Sequence, residues 1–169
     1  MMLKTLLFPI VILTFFSCSN KISSNDSFLI SEKVKYQVDR VVDGDTFVAM
    51  DPNGKTIKVR LIGVNTPETK HPRKGKEPFG PEASAFAKRH LSNRSVKLKF
   101  ERDTFDRYNR VLAHVYLKRN HFNLMLLDSG MAKTSFYKPN FEYKKVFTKA
   151  EKKAKSERIG LWNLKYYQK

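Results

Sequence analysis

Four short stretches of this chain place charged and aromatic side chains at close spacing. In Val42-Asp43-Gly44-Asp45-Thr46, two carboxylates flank a glycine at a strand junction. Carboxylates are hard oxygen ligands, of the kind calcium takes in sets of about six to eight. A plain Asp-Gly turn reads the same way, and the other ligand positions of an EF-hand loop are missing. From Arg60 to Glu68 (RLIGVNTPE), an arginine, an amide, a hydroxyl and a carboxylate share one segment. A carboxylate beside a cationic cleft can act as a general base on water. An arginine can grip phosphate oxygens bidentately. A salt-bridged strand exit is the plainer reading. Asp106-Arg107-Tyr108-Asn109-Arg110 offers two guanidiniums and a phenol where a strand begins. It suits a phosphate grip with Tyr108 stacked on a base, or a polar turn. Phe136-Tyr137-Lys138-Pro139 interleaves aromatics with lysine, as single-stranded nucleic-acid surfaces do and as a helix entry also can.

The charge balance narrows the choice of partner. Lys and Arg number 33 against 16 Asp and Glu, a net charge of +17 over 169 residues. With 41% hydrophobic and 12% aromatic residues, the chain is no disordered polycation. A folded domain this basic repels itself, and a polyanion relieves that. Nucleic acid leads, ahead of an anionic membrane surface or an acidic polysaccharide. One cysteine excludes an internal disulfide framework and any Cys-based zinc site. His71, His90, His114 and His121 form no pair at metal-ligand spacing. Nucleophile elbows, Walker loops and dinucleotide glycine patterns are missing. Lys144, Lys145, Lys149, Lys152, Lys153 and Lys155 crowd one late segment against Glu142, Glu151 and Glu157. Such a face is ordinarily just solvated, and it can still raise the encounter rate with a polyanion.

The N-terminus reads as a targeting segment. Met1 to Lys4 are followed by the apolar run Thr5 to Phe16 and then Ser17-Cys18. The run is too short for a bilayer, which takes about twenty helical residues, and has the length of a signal-peptide core. Residues 1–17 are expected to be a lipoprotein-type signal, with Cys18 becoming the lipidated N-terminus. An ordinary signal peptide or an uncleaved anchor are the alternatives. Residues 18–32 are small and polar, a tether. The domain is expected over 33–163, with a basic tail at 164–169. The protein is then exported, as a membrane-anchored lipoprotein of the cell envelope or in secreted form.

The elements that must position the candidate residues follow from periodicity. Val34, Tyr36 and Val38 alternate with polar residues, a strand with one buried face. Thr46–Met50 forms a second strand, and Asp51-Pro52-Asn53-Gly54 a turn. Ile57, Val59 and Leu61 make a third strand, with Arg60 on its opposite face. Thr69 to Phe79 is a basic loop. Gly80-Pro81-Glu82 opens a helix that buries Ala83, Phe86, Ala87 and Leu91. Val96, Leu98 and Phe100, then Val111, Ala113, Val115 and Leu117, give two further strands. Phe122 to Leu127 forms a short helix, and Pro139-Asn140 starts a last one with Tyr143, Phe147, Ala150 and Ala154 inward. Gly160 ends it, and Leu161 and Trp162 fold back. The class is α+β, mainly β: a five-stranded Greek-key barrel of the OB type with three helices. A small open sandwich has the same pattern.

Together the segments resemble the thermonuclease, or staphylococcal nuclease-like, family. The matching strings are VDGDTF, RLIGVNTPETKHP, FGPEASAFAK, DRYNRVLA, YKPN and GLW, in the family's order from about Val34 to Trp162. The resemblance implies the same barrel and calcium-dependent, sequence-nonspecific hydrolysis of DNA and RNA, leaving 3′-phosphates and 5′-hydroxyls. It implies that Asp45 is a calcium-ligating carboxylate and that Thr66 offers calcium its backbone carbonyl. Glu68 matches the carboxylate that positions or deprotonates the attacking water. Arg60 and Arg110 match the arginines on the scissile phosphate. Tyr108 and Arg107 match contacts to a terminal phosphate, and Tyr137 a wall aromatic on a looser match. Single strands are the expected preference, through a monomer that meets a membrane only by its lipid anchor. Asn65 stands where a second calcium-binding aspartate is expected. An amide oxygen coordinates calcium without bringing charge, so a weaker calcium site follows. A non-catalytic nucleic-acid-binding module of the same family is the alternative, and a lipoprotein adhering to acidic polysaccharide or lipid a third.

Overall fold

The computed structural model describes residues 34–69 and 75–168. The signal segment, Cys18 and the tether lie outside the described residues. Five strands close on one another. They are β1 (Lys35–Asp43), β2 (Thr46–Met50), β3 (Thr56–Leu61), β5 (Ser95–Lys99) and β6 (Val111–Leu117). β1 pairs antiparallel with β2 and with β5, β2 with β3, and β5 with β6. The ring is sealed by a parallel pairing of β3 with β6: Val59 opposite Val111, Arg60 opposite Leu112, Leu61 opposite Ala113. This is the expected OB-type barrel, and closure removes the sheet edges that an open sandwich would expose.

The alternation read from sequence supplies the interior. Tyr36, Val38, Phe47, Ala49, Val59, Leu61, Val96, Leu98, Ala113 and Val115 are buried there. Each of the larger apolar side chains contributes about 1.5–3 kcal/mol by leaving water. Three helices complete the core: α1 (Gly80–Leu91), α2 (Phe122–Asp128) and α3 (Lys144–Ser156). α1 buries Ala83, Phe86, Ala87 and Leu91, as its spacing requires. α2 buries Phe122, Leu126 and Leu127, and α3 Phe147, Ala150 and Ala154. Leu161 and Trp162 fold back beneath α3. The segment beyond 163, read from sequence as a tail, turns once more at Lys165–Tyr167, and the Tyr167 hydroxyl donates to Pro78 O at 2.6 Å.

Three features depart from the sequence pattern. The last helix begins at Lys144, not at Pro139-Asn140. Asn140 is turned away to grip Asp103: its amide donates to Asp103 O at 2.9 Å and accepts from Asp103 N at 3.0 Å. The strand around Val96 and Leu98 stops at Lys99, short of Phe100. A second small sheet pairs β4 (Gly63–Asn65) with β8 (Lys133–Ser135). A two-residue strand, β7 (Asn120–His121), extends the main sheet beyond β6.

A pair of histidines lies in the aromatic core. His114 is fully buried; its Nε2 sits 2.7 Å from Glu101 Oε1 and its Nδ1 3.2 Å from His121 Nε2. Burial lowers the pKa of both rings, and for His121 the neighbouring His114 and Lys99 charges add to it, down to about 3. Folded, His121 stays neutral; unfolded, it takes a proton as pH falls through 6.5. Stability present above pH 6.5 is therefore lost as pH falls from there toward about 3. The melting temperature is expected to decline between about pH 6.5 and 5, above the carboxylate range, and His121→Phe to flatten that decline. A melting temperature constant across this window in the parent protein would contradict the neutral pair.

Candidate active site

The Asp43–Asp45 stretch is the tight turn between β1 and β2. Asp43 pairs opposite Thr46, and Asp43 Oδ1 accepts from Gly44 N at 2.8 Å. A Cβ at Gly44 would stand 2.7 Å from the Thr66 side chain. Only glycine lets Thr66 pack against this turn. Asp45 is buried; its Oδ2 accepts from Thr66 N at 2.9 Å and its Oδ1 from Thr46 Oγ1 at 3.0 Å. Thr66 is buried too, and its hydroxyl has no hydrogen-bond partner among the described residues.

Arg60 leaves the outer face of β3, as the alternation requires, and turns back over the strand's end. Nη1 donates to Leu61 O at 2.7 Å and Val64 O at 2.8 Å. Nη2 donates to Asn65 Oδ1 at 2.9 Å and lies 3.2 Å from Asp45 Oδ2. One guanidinium thus fixes the β3–β4 bend and holds both Asn65 and Asp45. The Asn65 amide oxygen faces this arginine and keeps a second lone pair.

Glu68 follows the Pro67 bend. Its N–H donates to Glu77 Oε2 at 3.0 Å, and its carbonyl accepts from Glu77 N at 2.9 Å. Gly80, at the start of α1, lies so close that a Cβ there would stand 2.6 Å from Glu68 O. Glu77 and α1 therefore set the backbone on which the Glu68 carboxylate stands. Burial raises the Glu68 pKa, and the charges of Asp43 and Asp45 raise it further. Burial also raises that of Asp43, and the charge of Asp45 adds to it against the Gly44 N–H bond.

The 106–110 segment is a turn organised by Asp106. Its Oδ1 accepts from the backbone N–H groups of Tyr108 and Arg110, each at 2.9 Å. Its Oδ2 receives Arg110 Nε and Nη2, each at 2.7 Å. Burial works against ionisation of Asp106, but the bonds from Arg110 and Tyr108 outweigh it and hold its pKa below the usual value. Nη1 of Arg110 has no bonded partner among the described residues. Tyr108 is 64% exposed, with the Arg107 and Arg110 guanidiniums 4.8 Å and 5.4 Å from its ring centre.

The parallel β3–β6 pairing puts these pieces side by side. Asp43, Asp45, Arg60, Asn65, Glu68, Arg107, Tyr108, Arg110 and Tyr137 all line one cleft of about 790 Å³. Thr66 lies under it, bonded to Asp45. Two residues that support the site were not among the expected site residues. Asp106 carries a signal, since an aspartate that starts a turn ahead of an arginine can bond both backbone and side chain. Glu77 carries none: it lies within the basic loop from Thr69 to Phe79, which has no periodicity.

The donor set suits a hard cation. Three carboxylates, Asp43, Asp45 and Glu68, share the cleft with an amide oxygen, and among the described residues no thiol or imidazole joins them. Among the described residues, no three His, Cys, Asp or Glu are placed to hold an ion by themselves. A shell built here would draw on Asp45, the Asn65 amide, the Thr66 carbonyl and water, which calcium accepts.

An OB-type barrel whose one cleft holds acids and arginines together defines a protein made to handle phosphates. The comparisons give that class its family. The profile described as "Staphylococcal nuclease homologue" matches residues 58–164. The chain is 43% identical over 128 residues to the Thermonuclease of Staphylococcus hyicus, covering 76% of this chain and 75% of that one. It is 42% identical over 127 residues to the Thermonuclease of Staphylococcus intermedius, with 75% of each covered. Endonuclease YncB of Bacillus subtilis is 36% identical over 136 residues, 79% of this chain and 64% of that one. The chain belongs to the staphylococcal nuclease family. It is a nuclease, a hydrolase of phosphodiester bonds, and nucleic acids are its substrates.

The support of Glu68 can be tested at Glu77. Glu77→Ala is expected to lower kcat by tenfold or more, since a misplacement of about 1 Å can cost about a hundredfold. Glu77→Gln, which keeps an acceptor, should restore most of it. Full kcat in the alanine variant would mean that Glu68 is held without this contact.

Proposed function

We propose that this chain is a calcium-dependent, sequence-nonspecific nuclease that cleaves DNA and RNA to 3′-phosphate and 5′-hydroxyl ends. The observation that supports it most is the single cleft that Asp43, Asp45 and Glu68 share with Arg60 and Arg110. Asp45, Asn65 and Thr66 would hold the ion. Calcium, when bound, supplies positive charge next to the reacting phosphate. The remaining steps belong to the chain's own residues. Glu68 orients a water and takes its proton as the oxygen attacks phosphorus in line. Its raised pKa, set by burial and the neighbouring acids, makes it a better base than an exposed carboxylate. The P–O5′ bond breaks as the new P–O bond forms, the 5′-oxygen takes a proton from solvent water, and the phosphate stays on the 3′ side.

Arg60 and Arg110 face charge that grows on the phosphoryl oxygens in the transition state, so they act on kcat more than on binding. Arg60 is already fixed by four oxygens, which keeps its charge in place without reorganisation. Arg110, held by Asp106 through Nε and Nη2, offers Nη1 to the phosphate. Arg107 and Tyr108 take a terminal phosphate. Exposed Tyr108 and Tyr137 give stacking faces that unpaired bases can reach, which favours single strands. The reading carries with it export through residues 1–17, lipidation at Cys18 and action as a monomer.

Calcium titration of single-stranded DNA cleavage tests this, with a chelator and Glu68→Gln as controls. Cleavage should require calcium, stop in chelator and fall by orders of magnitude in Glu68→Gln. Arg60→Ala or Arg110→Ala should each cost about 10²–10³ in kcat, the range for removing one preorganised donor. Asn65→Asp should shift the calcium midpoint downward by restoring a charge. Undiminished cleavage in chelator would defeat calcium dependence, and 5′-phosphate products would defeat the assigned bond.

A further inference from the structure

The nuclease cleft leaves one strongly charged surface unaccounted for. Lys145, Lys149, Lys152 and Lys153 are all exposed on α3. Lys145, Lys149 and Lys153 follow one another at intervals of four and Lys152 lies three after Lys149, so the four fall on one side of the helix. Among the described residues none of them has an ion-pair partner. The helix's own acid, Glu151, is turned inward: it accepts from Thr134 N at 3.1 Å and from Thr134 Oγ1 at 2.8 Å. Lys155 is drawn toward Glu151 at 3.6 Å and lies over the Trp162 ring at 4.3 Å. Within α3 the four-lysine face therefore carries no acid, with Glu157 just past the helix end, in a helix where like charges four residues apart oppose folding.

We propose that this face of α3 is a second contact surface for the nucleic acid, holding phosphates that lie outside the cleft. Two observations choose this occupant. The first is continuity. Lys138 and Tyr137 line the cleft, and the chain runs directly from them into α3. The second is charge spacing. Lys145 to Lys153 spans about 12 Å of helix at 1.5 Å per residue. A duplex strand offers a phosphate about every 3.4 Å, so the ladder meets about four of them. These contacts carry no base information and add affinity and encounter rate only. The inference rests on the chain's nucleic-acid substrates and not on calcium.

The test compares the parent protein with a variant carrying Lys→Gln at 145, 149, 152 and 153. Glutamine keeps the helix propensity and removes the charge. On a long duplex at low salt, KM should rise by about tenfold or more while kcat stays within about twofold. The slope of log(kcat/KM) against log[salt] should become shallower by about three, near 0.9 per lost phosphate contact. On a dinucleotide, too short to reach α3, both constants should be unchanged. The dinucleotide arm also shows that the cleft itself cleaves, and a parent protein unable to cleave the dinucleotide would count against the site and not the ladder. An unchanged long-duplex KM and salt slope would overturn the proposal. The same null result together with lost binding to phosphatidylglycerol vesicles would reassign the face to anionic lipid. If long and short substrates lose KM equally, the ladder is likewise no exosite.

Discussion

The site depends on what one guanidinium does at the end of β3. Arg60 must leave the barrel wall there, because the inward positions on either side belong to Val59 and Leu61. Its Nη1 meets two carbonyls that the bend into β4 has turned away from the sheet. Its Nη2 meets Asn65 and Asp45. A cation in this position satisfies backbone oxygens that would otherwise lose partners at a strand break. It also balances a buried carboxylate that burial alone would disfavour. Shape and charge of the cleft are thus set by the same side chain, and the bend, the Asp-Gly-Asp turn and the Thr66 backbone stand or fall together.

The outer and inner electrostatics work in opposite senses. The surface as a whole is basic, at +17 for the full chain, and draws in a polyanion from a distance. The cleft floor is acidic, and its carboxylates would repel the same polymer at close range. Arg60 meets the acids inside the cleft, 3.2 Å from Asp45 Oδ2. Arg110 carries its own counter-charge in Asp106, so it presents donors in a fixed direction more than it adds free charge.

Much of this was legible in the residues. Period-two alternation located the five barrel strands because each has one buried face. The 3.6-residue spacing located α1 for the same reason. Asp43, Asp45, Arg60, Glu68 and Arg110 were legible by type and by their place at strand ends, and the structure brings them to one cleft. What was not legible rests on contacts distant in sequence. Pro139-Asn140 has the look of a helix start, but Asn140 bonds the backbone of Asp103 and the helix waits until Lys144. β4 and β8 are three residues each, too short for a period, and exist because they find each other across the fold. Glu77 meets Glu68 across a basic loop whose composition says nothing of where it returns.

The parallel seam between β3 and β6 has a consequence in time. Residue 59 must find residue 111, and everything between must be present before the ring can shut. Contacts this distant form late, because the loop between them has to be closed first. Until then Arg60 and Arg110 are on separate parts of an open chain. Until the seam forms, the chain therefore holds Asp45, Arg60 and Glu68 without the cleft that joins them to Arg110.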